Sequence, residues 1–360
     1  MGKKNTKKKP LNKRKVLITL CVVLSIILAI LIGVAVYAEY ILGLINYRDP
    51  NETLSSLSES EYNQFLEDNE IDNPDFTGPN MNGSDVIWGE DANSIGQGAD
   101  IVNILLVGQD RRKGETRARS DSMILCTINR VENTITLTSF LRDLYVQIPG
   151  YRDNRINVSY FLGGTDLLNE CIEKNFGVHI DGNVEVDFSG FQKIIDILGG
   201  VDIELSSAEA AYLNRRGNWD VNNSSAGTWS LKEGLNHLTG EQALAYSRIR
   251  QVGYTGDFGR TDRQKTVLNA LFEKAKKMNL SQVNSLLTNI LPLISTDLTN
   301  KEIVSYVMQV FPMLRKIDGL GTYRVPADGA YQMTMIDGMS VLLPNLEASR
   351  EMLEEIMKTE

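Results

Sequence analysis

Three short segments in the first half of the chain place carboxylates close to arginines. They are Gln109-Asp110-Arg111, Arg119-Ser120-Asp121 and Arg142-Asp143. Each segment adjoins an apolar run rich in β-branched residues, which is typical of a β-strand. We therefore expect neighbouring strands to deliver these polar side chains to one edge of a sheet, where they would form a site.

The preference for arginine over lysine limits the kinds of ligand that this site could bind. Between Asp110 and Arg155 there are eight arginines and one lysine, Lys113. Arginine's planar fork of donors binds carboxylate or phosphate oxygens in pairs. The interleaved carboxylates Asp110, Asp121 and Asp143 would repel a bare phosphate unless a hard cation such as magnesium bridges them to it. The pattern favours a metal-assisted phosphate site, and a set of surface ion pairs is the alternative.

A second charged cluster follows later in the chain. Arg248 and Arg250 stand two residues apart, so on an extended segment both would point to the same face, as a pair of clamps on one anion would require. The sequence Gly-Asp257-Phe-Gly predicts a turn into a helix whose first turn holds Arg263 and Gln264. A helix N-terminus would add backbone donors and a favourable dipole for an anion. Taken alone, the Arg-x-Arg pair is more typical of a solvated segment.

The N-terminus has the charge pattern of a membrane anchor. The run Val16–Ala38 is predominantly apolar, carries no charge and is long enough to cross a bilayer as a helix. Eight lysines and arginines precede it and no acid does, so the positive-inside rule places the N-terminus in the cytosol and everything after Glu39 outside the cell. A cleaved signal peptide is the alternative, although the run is longer than a typical signal core.

The overall charge argues against nucleic acid as a ligand. The formal net charge is −9, and the exported part is more acidic still because the eight cytosolic cations do not belong to it. A general binder of nucleic acid would want a broad basic face. Arginines gathered in a few segments of an acidic body suit a focused anionic ligand instead.

Cysteines and histidines are few. Cys21, Cys126 and Cys171 match neither a zinc cluster nor a disulfide framework. His179 and His237 are too isolated to favour a hydrolase triad or a histidine metal site. We expect structural roles for all five residues.

Strands alternate with helices from Asp100 onward, after a polar stretch that reads as a stalk. Predicted strands are Ile101–Val107, Met123–Ile128, Thr134–Ser139, Tyr145–Ile148, Val184–Phe188, Val201–Leu205, Leu320–Val325 and Thr334–Ile336. Predicted helices are Gly164–Phe176, Ser189–Leu198, Gly240–Ser247, Asp262–Met278, Ser281–Ile290, Asn300–Leu314 and Asn345–Lys358. This alternation predicts an α/β layered sheet. Tyr212–Thr228 has no periodicity, which favours a loop that covers the site.

Several ordered motifs now resemble one family. They are Leu106–Asp110, Arg119–Met123, Ser139–Asp143, Arg155–Tyr160 with Gly163-Gly164, Leu198–Val201, Tyr246–Arg250, Gly256–Arg260 and Arg263-Gln264. Together they resemble the LytR-CpsA-Psr family over about residues 100–280. The resemblance implies a mixed central β-sheet between helices, with an apolar groove for a lipid. The predicted organisation is a cytoplasmic tail (1–15), a transmembrane helix (16–38), an extracellular stalk (39–99) and an extracellular catalytic domain (100–360).

The resemblance also implies an activity and a site. The implied enzyme is a membrane-anchored phosphotransferase that moves a glycan polymer, such as wall teichoic acid or capsular polysaccharide, from a polyprenyl pyrophosphate carrier to peptidoglycan. The implied Mg²⁺ (or Mn²⁺) ligands are Asp110 and Asp121. The implied pyrophosphate contacts are Arg119, Arg142, Arg248, Arg250 and Gln264, with Asp257 as a further polar residue of the site. Leu144 and Arg155 stand where the family often has Thr and Lys, which affects substrate preference more than activity.

Charge suggests the mechanism. Phosphoryl transfer needs positioning and neutralisation of spread negative charge, which arginines and one metal ion would supply while an aspartate takes the proton of the attacking hydroxyl. Asp121 and Asp143 are the candidates for this base. Two rival functions remain open, a transcriptional attenuator and a non-catalytic lipid-binding or scaffold protein. The predicted topology argues against the first, because only about fifteen residues would face DNA.

Overall fold

The structure is a computed structural model that describes residues 36–48, 78–98, 100–109, 120–215, 229–253, 256–314 and 316–358. The chain forms two compact units, Met1–Ile45 and Asn46–Glu360. In the first unit, the described residues 36–42 are helical. No helix among the described residues is long and apolar enough to cross a membrane. The predicted span 16–38 lies outside them except for its last three residues, and Asp110 and Arg119 also lie outside them.

Strands and helices alternate through the second unit, as the sequence predicts. The strands are β1 (Asn46–Tyr47), β2 (Asn80–Met81), β3 (Ile101–Gln109), β4 (Ser120–Asn129), β5 (Thr134–Phe140), β6 (Tyr145–Val146), β7 (Asn154–Arg155), β8 (Gly182–Asp187), β9 (Val201–Leu205), β10 (Gly234–Leu238), β11 (Ser295–Thr296), β12 (Gly321–Val325), β13 (Tyr331–Ile336) and β14 (Met339–Pro344). The helices are α1 (Ile156–Phe176), α2 (Phe188–Ile197), α3 (Ser207–Leu213), α4 (Gly240–Ser247), α5 (Gly256–Lys276), α6 (Leu280–Ile290), α7 (Asn300–Leu314) and α8 (Leu346–Met357).

A seven-stranded sheet in the order β1-β11-β8-β3-β4-β5-β12 forms the centre. The pairs β3–β4 and β4–β5 are antiparallel, whereas β3–β8 and β5–β12 are parallel. The prediction of a mixed sheet is therefore confirmed. Because β3 ends, β4 begins and β5 ends at the same edge, Asp121 near the start of β4 meets the Arg142-Asp143 segment that follows β5 there.

Successive residues of the strands point to opposite faces of the sheet. On one face, Leu105 and Leu125 pack with α1 and α8 in the largest buried cluster. On the other face, Ile104 and Ile128 pack with residues of α7. The sheet is therefore the middle of three layers. Smaller sheets flank it, one of β9 and β10 and one of β14, β13 and β2.

Segments of the predicted stalk pair with the folded unit. Asn46 and Tyr47 pair with β11 at the end of the central sheet. Asn80 and Met81 pair with β13, and Ile95 forms a bridge with Val178. Residues from within the 39–99 stretch thus contribute strands, although its composition is that of a linker.

Three predicted boundaries are wrong in ways that affect the site. Helix α1 begins at Ile156 rather than Gly164, with a kink at Gly163-Gly164 where Gly164 has a φ of 66°. Helix α5 begins at Gly256 rather than Asp262. Tyr212 and Leu213, predicted to lie in a loop, belong to helix α3, which Ser206 and Glu209 begin with a capping box; residues 216–228 of that predicted loop lie outside the described residues. In each case glycines or polar residues resembled a break, while tertiary packing or capping extended the helix.

Candidate active site

A cavity of about 470 Å³ lies between the sheet and helices α2, α4 and α5. Its lining divides into two parts. The charged end consists of Asp121, Arg142, Arg248, Arg250, Arg260 and Gln264. The apolar end includes Leu106, Ile124, Val184, Phe191, Ile194 and Leu271. Since Leu106 pairs with Ile124 several residues in from the sheet edge, the apolar end extends over the sheet from the edge that carries Asp121.

Local sequence explains why the sheet leaves room here. Gly108 lines the cavity, and a Cβ at this position would lie 3.0 Å from the Cβ of Ser122 on the neighbouring strand. The register of β3 and β4 shifts just after Gly108. On helix α5, Asp257, Arg260 and Gln264 are spaced three and four residues apart, which places them on one face. The glycine in β3 and the shared face of Asp257, Arg260 and Gln264 on α5 allow the strand ends and the helix to enclose the same cavity.

Asp257 is the centre of the charged end. Its side chain is only 9% exposed, and its Oδ1 lies 3.1 Å from Arg250 Nη2, 2.7 Å from Arg260 Nη2 and 3.6 Å from Arg142 Nε. Arg250 donates a hydrogen bond to it, whereas Arg260 Nη2, despite the short distance, makes no hydrogen bond to any of the described residues. The Arg260 contact is therefore an ion contact. One buried carboxylate thus gathers three guanidinium groups.

Asp121 and Arg142 form a hydrogen-bonded ion pair beside this cluster. Arg142 Nη1 donates to Asp121 Oδ1 at 3.0 Å, and Arg260 Nη1 lies 3.9 Å from the same oxygen. Burial alone would raise the pKa of Asp121, but Arg260 and Arg142 outweigh it and the pKa falls below its ordinary value. Burial alone would lower the pKa of Arg142, but the carboxylates of Asp143, Asp257 and Asp121 raise this pKa above its ordinary value. Both groups are charged at neutral pH.

Asp143 differs from Asp121 in its environment. Burial raises the pKa of Asp143, and the nearby Asp257 raises it further, while Arg142 opposes the shift. Arg142 Nε is 3.5 Å from Asp143 Oδ1 and Arg155 Nε is 4.0 Å from it. The Asp143 side chain keeps 28% of its surface exposed. It is therefore a carboxylate that solvent reaches and that holds a proton more readily than an ordinary aspartate.

The boundary between the two ends is also defined by contacts. The guanidinium of Arg248 lies over the ring of Phe188, 4.4 Å from its centroid, which is a cation–π contact. Ser122 Oγ donates to Gln264 Oε1 at 3.1 Å and so fixes the amide beside the sheet. Burial lowers the pKa of Arg260 to about 10, against the opposing effect of Asp257, so Arg260 is still a cation at neutral pH.

Comparison with known proteins decides the family. A sequence model of the LytR_cpsA_psr family matches residues 60–358. The chain belongs to the LytR_cpsA_psr family. This confirms the resemblance carried by the sequence motifs.

Relatives within the LytR_cpsA_psr family have names that describe an activity. The polyisoprenyl-teichoic acid–peptidoglycan teichoic acid transferase TagU of Bacillus mycoides (strain KBAB4) is 34% identical over 233 residues, which cover 64% of this chain and 70% of that protein. The crystal structure of B. subtilis TagV is 28% identical with a TM-score of 0.56, covering 72% of this chain and 98% of that one. A structure of YwtF (TagT) with bound octaprenyl pyrophosphate lipid is 25% identical with a TM-score of 0.52. The match covers 72% of this chain and 90% of that one.

The metal ion that the family resemblance implies can be tested against the residues in place. Among the described residues, no three His, Cys, Asp or Glu side chains converge as a metal site. Asp121 nevertheless fits one, because its ion pairs with Arg142 and Arg260 are both made by Oδ1. Asp257 Oδ2 is buried and has no hydrogen-bond partner among the described residues. Carboxylate oxygens are the ligands that magnesium prefers, so the donor set agrees with such an ion.

The structure brings together seven of the nine site residues that the sequence predicts. They are Asp121, Arg142, Asp143, Arg248, Arg250, Asp257 and Gln264. Two details of the prediction are wrong. Arg248 ends helix α4 with helical dihedral angles, so it and Arg250 reach the cavity from a helix end rather than from an extended segment. Arg263 lies about two turns inside α5, where it is buried and bonds Glu209 and the carbonyls of Ile249 and Val252.

Sequence reasoning missed Arg260 and Phe188. Arg260 contacts both Asp121 and Asp257 and is 5% exposed. The sequence feature that could have identified Arg260 is its spacing, three residues after Asp257 and four before Gln264. This spacing places the three residues on one helix face only if the helix begins at Gly256. Phe188 was assigned to the end of a strand, and nothing in the sequence pairs it with Arg248.

Proposed function

We propose that this protein transfers a glycan polymer, such as wall teichoic acid or capsular polysaccharide, from a polyprenyl pyrophosphate carrier to peptidoglycan. The observation that carries this function is a single cavity with an arginine-rich end and an apolar end. The donor has the same two parts, a pyrophosphate and a long hydrocarbon chain. The predicted transferase class agrees with the names of the curated relatives.

The charged end binds the pyrophosphate. Four arginines line the cavity together with Asp121 and Asp187, so several guanidinium groups are in place to bind an anion. Arg142, Arg248, Arg250 and Arg260 have donors in pairs that match phosphate oxygens, and the Gln264 amide contributes a further donor. Asp257 orients three of these guanidinium groups rather than touching the substrate, because its Oδ1 is enclosed by them.

The apolar end binds the first isoprene units of the carrier. The side chains around it come from the sheet and from helices α2 and α5, and several of them, such as Leu106 and Ile194, are only partly buried. Burying apolar surface contributes about 25 cal/mol per Å². Partly exposed apolar walls therefore favour a hydrocarbon ligand, which removes both its own surface and theirs from water.

The chemical step is displacement at the phosphorus that carries the glycan. A hydroxyl oxygen of the peptidoglycan acceptor forms a bond to this phosphorus, and the bond from phosphorus to the bridging oxygen of the pyrophosphate breaks. Polyprenyl phosphate leaves with that oxygen and its electron pair. Asp143 takes the hydroxyl proton, because its pKa is raised and its side chain is accessible. Asp121, whose pKa is lowered, stays an anion.

Magnesium or manganese would be held by Asp121 together with Asp110. When bound, such an ion neutralises charge on the pyrophosphate oxygens. Arg142 and Arg260 keep Asp121 ionised and therefore ready to be a ligand. Arg119 is proposed as a further pyrophosphate contact on the strength of the family resemblance.

We also propose that the protein is anchored in the cell membrane by residues 16–38 with its catalytic domain outside the cell. The support is the uncharged apolar run and the eight cations that precede it. This placement puts the site on the side of the membrane where peptidoglycan is assembled into the wall.

A cavity-filling variant tests the function. In the full chain, Ile194→Trp places a larger side chain in the apolar end, and Ile197→Trp is the matched control because Ile197 is 39% exposed and does not line the cavity. We expect Ile194→Trp to raise the polyprenyl pyrophosphate concentration needed to inhibit transfer by about tenfold, equivalent to about 1.4 kcal/mol. Inhibition by inorganic pyrophosphate should not change.

Transfer is measured from a lipid-linked glycan donor to purified peptidoglycan. Equal potency of pyrophosphate and polyprenyl pyrophosphate against the parent would exclude the apolar end as a lipid site. Absence of transfer with every donor, combined with tight lipid binding, would favour a non-catalytic lipid-binding protein.

A further inference from the structure

Helix α7 has more apolar surface than it needs for packing. Ile303, Tyr306 and Val310 face the core cluster beneath the sheet. Three further apolar side chains, Val304, Val307 and Met308, are 43%, 49% and 71% exposed. They are spaced three and one residues apart, so they form one stripe beside the buried face. They belong to no hydrophobic cluster of the described residues.

The position of α7 along the chain indicates what covers this stripe. Strand β1 pairs with β11, which ends at Thr296, shortly before α7 begins at Asn300. Tyr47 donates a hydrogen bond to Asn300 and ties the two segments together. Only residues 39–45 separate the proposed anchor from β1. Seven residues span at most about 25 Å, so the covalent link holds the start of α7 close to the membrane surface.

Exposed charges of both signs lie near the ends of α7. Lys301 in its first turn and Lys316 just beyond its end are exposed, as are Asp297 and Asp318; the two lysines would meet anionic lipid headgroups. Glu302, the acid of the first turn, is engaged by the backbone and hydroxyl of Thr299. Apolar side chains between flanking lysines are typical of a helix that lies in a membrane interface.

We propose that the Val304-Val307-Met308 stripe of α7 docks on the outer surface of the membrane that holds the anchor. This inference rests on the proposed anchoring and goes beyond it, because an anchor does not by itself specify which surface of the catalytic domain contacts the lipid. Docking through α7 would instead fix one side of the catalytic domain on the lipid. A donor confined to the membrane would then meet a domain held at a constant height.

The experiment uses the full chain in vesicles of phosphatidylcholine and phosphatidylglycerol that contain a nitroxide-labelled lipid. Met308→Cys carries a fluorophore in a Cys21→Ser background, and labelling of that background alone corrects for Cys126 and Cys171. Ile87→Cys is the matched control, because Ile87 is 95% exposed and lies beside α8, which packs on the opposite face of the sheet from α7.

We expect the nitroxide lipid to quench the label at position 308 several times more than the label at position 87. Replacing Val304 and Val307 with Ser should reduce that quenching while the protein still floats with the vesicles. Equal quenching at the two positions in protein that floats with the vesicles would overturn the docking and leave the anchor standing. Protein that does not float would overturn both. Weak lipid quenching with concentration-dependent energy transfer between copies labelled at 308 would assign the stripe to a second copy instead.

Discussion

The two faces of the central sheet are built from similar residues and serve different purposes. Leu105 and Leu106 are neighbours in strand β3. Leu105 is fully buried beneath α1 and α8, whereas Leu106 is partly exposed and lines the cavity. One face is filled by α1 and α8, whereas the other is covered by α7 in one part and leaves a cavity beneath α2, α4 and α5 in another. Apolar residues on a sheet face therefore form a hydrophobic core only where the facing helices lie close enough to fill the space above them.

The cavity on the open face also concentrates charged side chains. Three aspartates meet in the region of Arg142, and burying them has a cost in folding free energy. This cost is tolerated where a ligand and a reaction need the charges. Residues of the open face should therefore affect transfer more than stability, and those of the filled face the reverse.

The largest effect expected is on the rate, from Asp143→Asn. Loss of a general base slows transfer by about 10²–10⁴-fold. In the parent, the rate should fall as the pH drops through the pKa of Asp143, which lies above the ordinary aspartate range, and the variant should lack this dependence. The pH profile of transfer by both proteins is the measurement. Asp166→Asn, at an exposed surface pair with Arg48, is the control and should keep the parental profile.

Stability gives the Asp143→Asn test a second readout. A folded-state pKa above the unfolded one means that the ionised carboxylate costs folding free energy at pH values above both, and that the cost disappears as the pH falls below both. Asp143→Asn should therefore be at least as stable as the parent at neutral pH. A marked loss of stability together with an unchanged rate would make Asp143 a fold residue and break the contrast between the faces.

The next prediction compares the stability lost when the side chain of Leu105 or of Leu106 is truncated to alanine. Leu105→Ala removes a fully buried side chain and should lower the free energy of unfolding by about 2–5 kcal/mol. Leu106→Ala loses fewer packing contacts, because one side of Leu106 faces the cavity. We expect a stability loss of about 1.5 kcal/mol or less, with a higher concentration of donor needed for half-maximal transfer. Denaturant unfolding and transfer assays on both variants decide, and equal stability losses would show that both faces act as core.

An effect smaller than that of Asp143→Asn or Leu105→Ala is expected for Arg142→Lys. Lysine keeps the charge but loses the planar fork, and a charge-assisted contact of this kind is worth about 1.5–3 kcal/mol. The transfer rate should fall by roughly tenfold to a hundredfold with little change in donor affinity. The control is Arg324→Lys, because Arg324 is equally exposed and pairs with Asp262 and Asp328 but does not line the cavity. A near-parental rate for Arg142→Lys would mean that Arg142 serves only to pair with aspartates at the strand end.

Much of the site could be predicted because it depends on local rules. Carboxylates and arginines at strand ends identify an edge of the sheet before any packing is known, and the structure gathers Asp121, Arg142 and Asp143 there. The short strand β14 was missed because it is defined mainly by its pairing with β13. The start of helix α5 could not be predicted because the glycines at 256 and 259 resemble a turn. Without that helix start, the position of Arg260 in the site could not be predicted either.

The sequence by itself determined the mixed α/β architecture, the arginine-rich chemistry of the strand ends and the family. These follow from alternation, residue type and motif order, which are properties of short segments. Only the tertiary structure decided which face of the sheet stays open, because that depends on where α2, α4 and α5 come to rest. It also decided that Asp257 gathers three guanidinium groups and that Asp121 and Asp143 have pKa values shifted in opposite directions. Those shifts arise from burial and from charges that lie far apart in the chain and meet only in the fold.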